Sequence, residues 1–234
     1  MENKMISYIK SASIGILVIA MYFILANIEL LPFNILNIDT KTLPNYIKFS
    51  YLIIYEIFTM IIIGIIMFKK LKKDFRDILI NHKKYYSENF KFWLIGLAVM
   101  GISNCIIVFI LKNDLSNNEE LLRQLFSLSP IYIYITSIIF APFVEEIVFR
   151  QGIRNIIKNK YLFILISGLL FGGLHVVTSM SSTMDLLYLI PYCSLGFVFA
   201  YMLYKTNNIF TSMGFHFLHN GLLIGIQFII LIFS

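Results

Sequence analysis

"IYIYITSIIFAPFVEEIVFR", residues 131–150, runs from Ile131 to Val144 without a charged side chain and then ends on Glu145, Glu146 and Arg150. The first part reads as a membrane segment, because a span needs about 20 mainly apolar residues. The three ionisable groups are either an ordinary polar helix end or the chemistry of the protein.

The rest of the chain has the same character. It is 59% hydrophobic and only 14% charged over 234 residues, and its mean hydropathy is +0.81. Soluble domains are nearer half apolar and a quarter charged. The apolar residues come in long blocks without the strict alternation of a β-barrel strand. We therefore expect an all-α, polytopic membrane helix bundle. Seven spans are predicted, at about 11–28, 50–68, 92–111, 129–149, 161–177, 184–204 and 209–233. Residues 1–128 form a region of three helices, and 129–234 the region that carries the candidate chemistry. The opening "MENKMISYIKSASIGILVIAMYFIL" is longer than a signal-peptide core and lacks a clear small-residue cleavage site. It is read as a retained first span. Cys105 and Cys193 both fall inside apolar segments and suggest no disulfide framework.

Charge sets the expected orientation. Residues 69–91 hold eight Lys and Arg and are read as a cytoplasmic loop. Alternation then puts fifteen basic residues inside, including Arg150, Arg154, Lys158, Lys160 and Lys205. Only Lys41, Lys48, Lys112 and Arg123 fall outside. The N-terminus is inside and the C-terminus outside. The net charge of +6 is explained by this bias, so no nucleic-acid partner is expected. Residues 113–128 are read as an outer amphipathic helix. The Ile- and Lys-rich, Ala-poor composition points to an AT-rich genome and a bacterial cell membrane.

Polar residues inside spans are costly, at roughly 2.5–3.5 kcal/mol for a central charge, and usually face the bundle interior. Glu146 and Arg150 are four apart and can pair on one helix face. Glu145 lies about 100° round from Glu146 and points elsewhere. His175 follows the Gly168/Gly172 pair, whose spacing allows close helix approach. His216 and Asn220 share a face and could donate hydrogen bonds to one oxyanion. His219, about 60° from His216, contributes or only packs. Glu56 and Asn104 are expected to find partners within the bundle. Each group alone has a bland reading: a helix end, a packing histidine, interhelical polar contacts. Together they supply a base to activate water and donors for an oxyanion, the needs of peptide hydrolysis. A Glu with two His could alternatively hold zinc.

These residues resemble three motifs of the CPBP family, the CAAX proteases and bacteriocin-processing enzymes also called Abi proteins. "EEIVFR" (145–150) is similar to E-E-x-x-x-R, "FGGLH" (171–175) to F-x-x-x-H, and "HFLHN" (216–220) to H-x-x-x-N/D. The likeness covers roughly residues 129–222. It implies an intramembrane endopeptidase acting on a membrane-associated peptide or protein, which enters from the membrane or the cytoplasmic side. It implies Glu145 as the residue that activates water and Glu146 as the partner of Arg150. It implies His175 as the residue that orients the water, and His216 with Asn220 as the oxyanion pair. The family name also implies a metalloprotease, with Zn2+ on Glu145, His175 and His216. A metal-free, glutamate-activated water uses the same residues, and both readings stay open. A non-enzymatic bacteriocin-immunity or toxin-binding protein with the same fold is the alternative function, and a small transporter is a third. Counting rises of 1.5 Å puts Glu145 and His216 about 10 Å from the inner boundary and His175 about 20 Å. A tilt, or a kink at Pro142, is needed to bring them together, around a cavity expected to open to the cytoplasm.

Overall fold

The computed structural model describes residues 2–111 and 116–233, so Lys112 and residues 113–115 of the expected outer helix lie outside the described residues. Every regular element among them is helical. Seven helices are long and apolar enough to cross a membrane. They are α1 (Glu2–Ile28), α2 (Asn45–Ile66), α3 (Phe68–Leu111), α5 (Pro130–Ile156), α6 (Lys160–Val177), α7 (Leu189–Thr206) and α8 (Ile209–Phe233), with the short α4 (Asn117–Leu128) between the third and fourth. The chain is an integral membrane protein. Large apolar side chains stay uncovered on the outside of the bundle, such as Phe109 at 85% and Ile54 at 66% exposure. That is stable where the surroundings are lipid.

The basic stretch 69–91 is not a loop. It is the first half of α3, a single helix of 44 residues. At 1.5 Å per residue it is about 66 Å long, twice the hydrocarbon thickness, so half of it stands outside the membrane. The many lysines hid the helix from a hydropathy reading, but no Gly or Pro interrupts residues 68–95 and lysine is a good helix former.

This extension has a structural partner. Asn207 ends α7 in the left-handed conformation (φ 50°), which asparagine tolerates. The backbone N–H of Ile209, the first residue of α8, then donates to Asp74 Oδ2 of α3 at 3.0 Å. The Asn208 side chain donates to the Asp74 carbonyl (2.8 Å) and to Asp77 Oδ2 (2.7 Å). Lys70 pairs with Asp74 at 2.7 Å. A carboxylate at a helix N-terminus satisfies a free N–H and meets the positive end of the helix dipole. Asp74 therefore caps a helix that begins 135 residues later. At the same end, Ser11 of α1 donates to the Asn155 carbonyl (3.3 Å) and accepts from Lys158 (3.2 Å). All the segments assigned to the inside thus meet at one end of the bundle.

The largest core lies between α1, α2, α5, α6, the end of α7 and the start of α8, with Val18, Ile63, Val144, Ile147, Phe163 and Leu203 among its buried residues. A second core joins Trp93 of α3 to Leu195, Phe199 and Met202 of α7 and Phe215 of α8. Helices α6 and α7 touch almost backbone to backbone. A methyl group added at Gly172 would sit 2.7 Å from the Cys193 backbone nitrogen, and one at Gly196 would sit 2.9 Å from the Gly168 carbonyl oxygen. The Gly168/Gly172 spacing therefore has the packing role expected of it.

Candidate active site

Helix α5 is not a regular α-helix. It widens into π-helical turns at Ile135–Phe140 and again at Glu146–Gly152, on either side of the short α-helical piece Ala141–Glu145. In the first, the Ala141 N–H reaches back five residues to the Thr136 carbonyl. Pro142, which has no N–H to give, comes next. Carbonyls in both widened turns accept from other helices. Asn220 of α8 donates to the Ser137 carbonyl at 2.7 Å. The buried Ser167 of α6 donates to the Phe149 carbonyl at 2.5 Å. Such turns interrupt the regular rise and rotation of a helix and recur at functional sites. They re-aim the segment that carries Glu145 and Glu146. Where a kink at Pro142 was expected, the helix instead has widened turns on both sides of it.

The two glutamates diverge, as their 100° step requires. Glu146 is fully buried. Its Oε1 lies 3.4 Å from Arg150 Nε, within ion-pair reach, and 3.0 Å from His216 Nδ1. Since an ionised carboxylate only accepts, His216 Nδ1 must carry the proton of that bond, and the ring's other nitrogen, Nε2, is left to the cavity. Glu145 points into that cavity. Its Oε2 lies 3.9 Å from His216 Nε2. The imidazole of His216 is thus held between two carboxylates and stacks on Phe199, with ring centroids 5.1 Å apart.

Arg150 is also fully buried. Its guanidinium lies 3.9 Å from the centroid of the Phe171 ring and 5.7 Å from that of Phe199. An aromatic face attracts a cation, most strongly where water is excluded. Phe171, the first residue of "FGGLH", therefore covers the arginine. It also contacts the His175 ring at 4.6 Å between centroids. His175 is packed edge-on against Tyr192 from the other side, at 5.1 Å.

Glu145, His175, His216 and Asn220 all line one cavity of about 490 Å³. His219 lines it as well. His175 faces the cavity without a hydrogen bond or ion pair to Glu145. Among the described residues, no three His, Cys, Asp or Glu side chains are grouped to hold a metal ion. Glu145, His175 and His216 therefore do not fit together as a zinc ligand set in this geometry, and no step below passes through a metal.

Several expectations change. Glu56 does find a bundle partner, accepting from Thr136 Oγ1 at 2.6 Å, but Asn104 lines the cavity. The cavity does not open toward the basic end. The ion pair of Glu146 and Arg150, with Phe171 and Phe199 against it, fills the bundle on that side. The cavity runs instead toward α4 and the last turns of α8, where Asn118, Glu119, Arg123 and Gln227 line it. Tyr192 there accepts from Asn118 at 3.0 Å and bonds Ser116 at 3.1 Å. Glu119 accepts from Gln227 at 2.7 Å and pairs with Arg123 at 3.0 Å. None of these rim residues was singled out from the sequence. The capping pattern Ser116-x-x-Glu119, which opens α4, was the available signal.

Comparison with known proteins agrees with the motifs. The family model described as type II CAAX prenyl endopeptidase Rce1-like matches residues 127–222. An uncharacterized protein of Mycoplasma capricolum is 33% identical over 140 residues, which cover 56% of this chain and 39% of that protein. YdiL of Bacillus subtilis, named as a candidate membrane peptidase, is 29% identical over 58% of this chain and 53% of its own length. The UPF0177 protein YxdF of Lactococcus lactis is 32% identical over 53% of this chain and 70% of its own length. The chain thus spans about half the length, or less, of the first two of these relatives. No solved structure matches the chain significantly.

Proposed function

The chain belongs to the Rce1-like family of type II CAAX prenyl endopeptidases, and from that premise we propose that it is an intramembrane endopeptidase that uses water activated by Glu145. One observation carries the reading: a free carboxylate, two histidines and a carboxamide from three different helices line a single cavity inside the bundle. A purely structural set of polar residues would pair with itself. Here Glu146 and Arg150 do so, while Glu145 Oε2 has no hydrogen-bond partner within the protein.

Glu145 takes a proton from a water held between it and His175. The resulting hydroxide attacks the peptide carbonyl, and the C=O electrons move to oxygen. His216, doubly protonated between the two carboxylates, donates Nε2–H to that oxyanion while Nδ1–H stays anchored on Glu146. Asn220 has a second N–H beyond the one given to Ser137 and donates it too. Glu145 then returns its proton to the leaving nitrogen as the C–N bond breaks, giving a carboxylic acid and an amine. Donors held in a dry site act strongly on developing charge. Glu146 and Arg150 do not touch the substrate; Glu146, held by Arg150, fixes the direction of the His216 ring and keeps a proton on Nδ1.

The test is cleavage of quenched fluorescent peptides, prenylated and unprenylated, by the purified full chain in proteoliposomes, with and without a chelator. Glu145→Gln should lower the rate about 10²–10⁴-fold, the span of general-base effects, with the melting temperature unchanged. Full activity in Glu145→Gln would overturn the reading. Complete loss on chelation, restored by zinc, would favour a metal on Glu145 and His216 over the free water.

A further inference from the structure

The direction of the cavity carries a consequence for the substrate. Helix α8 starts at the basic end, where Asp74 caps Ile209. His216 is seven residues along it and Gln227 eighteen, or about 10 and 27 Å at 1.5 Å per residue. The hydrocarbon layer is about 30 Å thick, so Gln227 reaches the far interface. The cavity is lined from His216 up to Gln227, and none of its lining residues belongs to the basic ends of the helices. Its rim includes Ile226, which is 48% exposed, so the space also meets the surface of the bundle beside α8. Between rim and base the walls are mainly apolar, with Met100, Val108, Leu195 and Leu223 facing in. Among the described residues, the charged side chains that line the mouth, Glu119 and Arg123, neutralise each other.

Arg150, being sealed inside, is no marker of topology. Without it, fourteen of the basic residues still lie at one end against four at the other, so the positive-inside rule keeps the basic end in the cytoplasm. We propose that the peptide reaches Glu145 from the extracytoplasmic face. Depth sets the form of the substrate. From Gln227 to His216 is about 16 Å, which an extended chain covers in about five residues. The substrate class, which rests on the endopeptidase reading, is then an exported peptide, or the outward-facing flank of a membrane-anchored one. It presents an unfolded, largely uncharged stretch of about five residues ahead of the scissile bond. A cytosolic protein with a prenylated C-terminus would arrive at the wrong face.

Side of access can be read without catalysis. In a background of Cys105→Ser and Cys193→Ala, one cysteine is placed at Glu120→Cys on α4, at Leu223→Cys in the cavity wall, or at Lys73→Cys in the basic extension. Intact cells expressing the full chain are treated with a membrane-impermeant maleimide before and after permeabilisation. Glu120→Cys and Leu223→Cys should label in intact cells, and Lys73→Cys at least tenfold more slowly until the membrane is opened. Labelling of Lys73→Cys in intact cells, or protection of Glu120→Cys until permeabilisation, would overturn the proposed face. Protection of Leu223→Cys alone would overturn the open shaft. The cleavage assay then separates the two readings: outside labelling, with no peptide cut on either face of proteoliposomes, overturns the endopeptidase and its substrate but leaves the face of access standing.

Discussion

The two ends of this bundle are built on opposite rules. At the basic end the acidic groups are tied to partners: Asp74 serves Lys70 and the Ile209 N–H, Asn208 ties Asp74 to Asp77, and Glu146 sits between Arg150 and His216, with the Arg150 guanidinium covered by Phe171 where it makes no hydrogen bond. Toward the other end charges are few, and the polar groups that matter are left open to a cavity, among them Glu145 Oε2 and His219 Nδ1. The boundary between the two regimes falls between residues 145 and 146. The lesson is that adjacent, identical side chains can belong to different machines when a helix turns one into a packed core and the other into space.

That contrast can be broken from the packed side first. Arg150→Ala leaves the Glu146 charge buried with only His216 to meet it, and losing one member of such a pair costs about 3–5 kcal/mol. Its melting temperature in detergent should fall steeply and activity should go with it. Glu145→Gln should do the reverse, losing activity at unchanged stability. An Arg150→Ala protein as stable as wild type would erase the distinction. Next in size is Gly172→Val, which drives a side chain into the Cys193 backbone. Overpacking of this kind costs about 1–3 kcal/mol. It should also push α6 outward and slow cleavage through His175, whereas Gly173→Ala, where an added methyl meets nothing within 4 Å, should change neither. The smallest effect belongs to Asp77, whose carboxyl the Asn208 side chain holds below the usual carboxylate range. A depressed folded pKa stabilises above the unfolded value and is lost as pH falls through the folded one. Asp77→Ala should therefore lower the melting temperature by about 2 °C or less at pH 7, and the gap should close as pH falls below the ordinary aspartate range and through the lowered folded value. Thermal scans across pH measure it.

Much of this was readable beforehand, for identifiable reasons. Long apolar blocks revealed the seven spans because lipid tolerates no other unbroken run. The spacing of Glu146 and Arg150 announced their pairing because a helix puts residues four apart on one face. The basic extension of α3 was missed because hydropathy reports what is in lipid, not what is helical. The meeting of His175 with Glu145 around one cavity conflicted with a count of regular rises, because the π-helical turns of α5 leave no periodic signal. The rim was missed for a third reason: Asn118, Glu119 and Gln227 are ordinary interfacial residues until folding puts them around an opening.

The widened turns of α5 also constrain how this segment can change over time. Each takes in a residue beyond what a regular helix would need for the same turn. Losing a residue beyond the one that the widened turn can give up would swing everything after it by about 100°. Glu146 would then leave His216, and the Ser137 carbonyl would no longer meet Asn220. Point substitutions are tolerated one at a time along most of a lipid-facing helix. Insertions and deletions here are not, so length in this stretch should vary far less among functional descendants than letter-by-letter identity does.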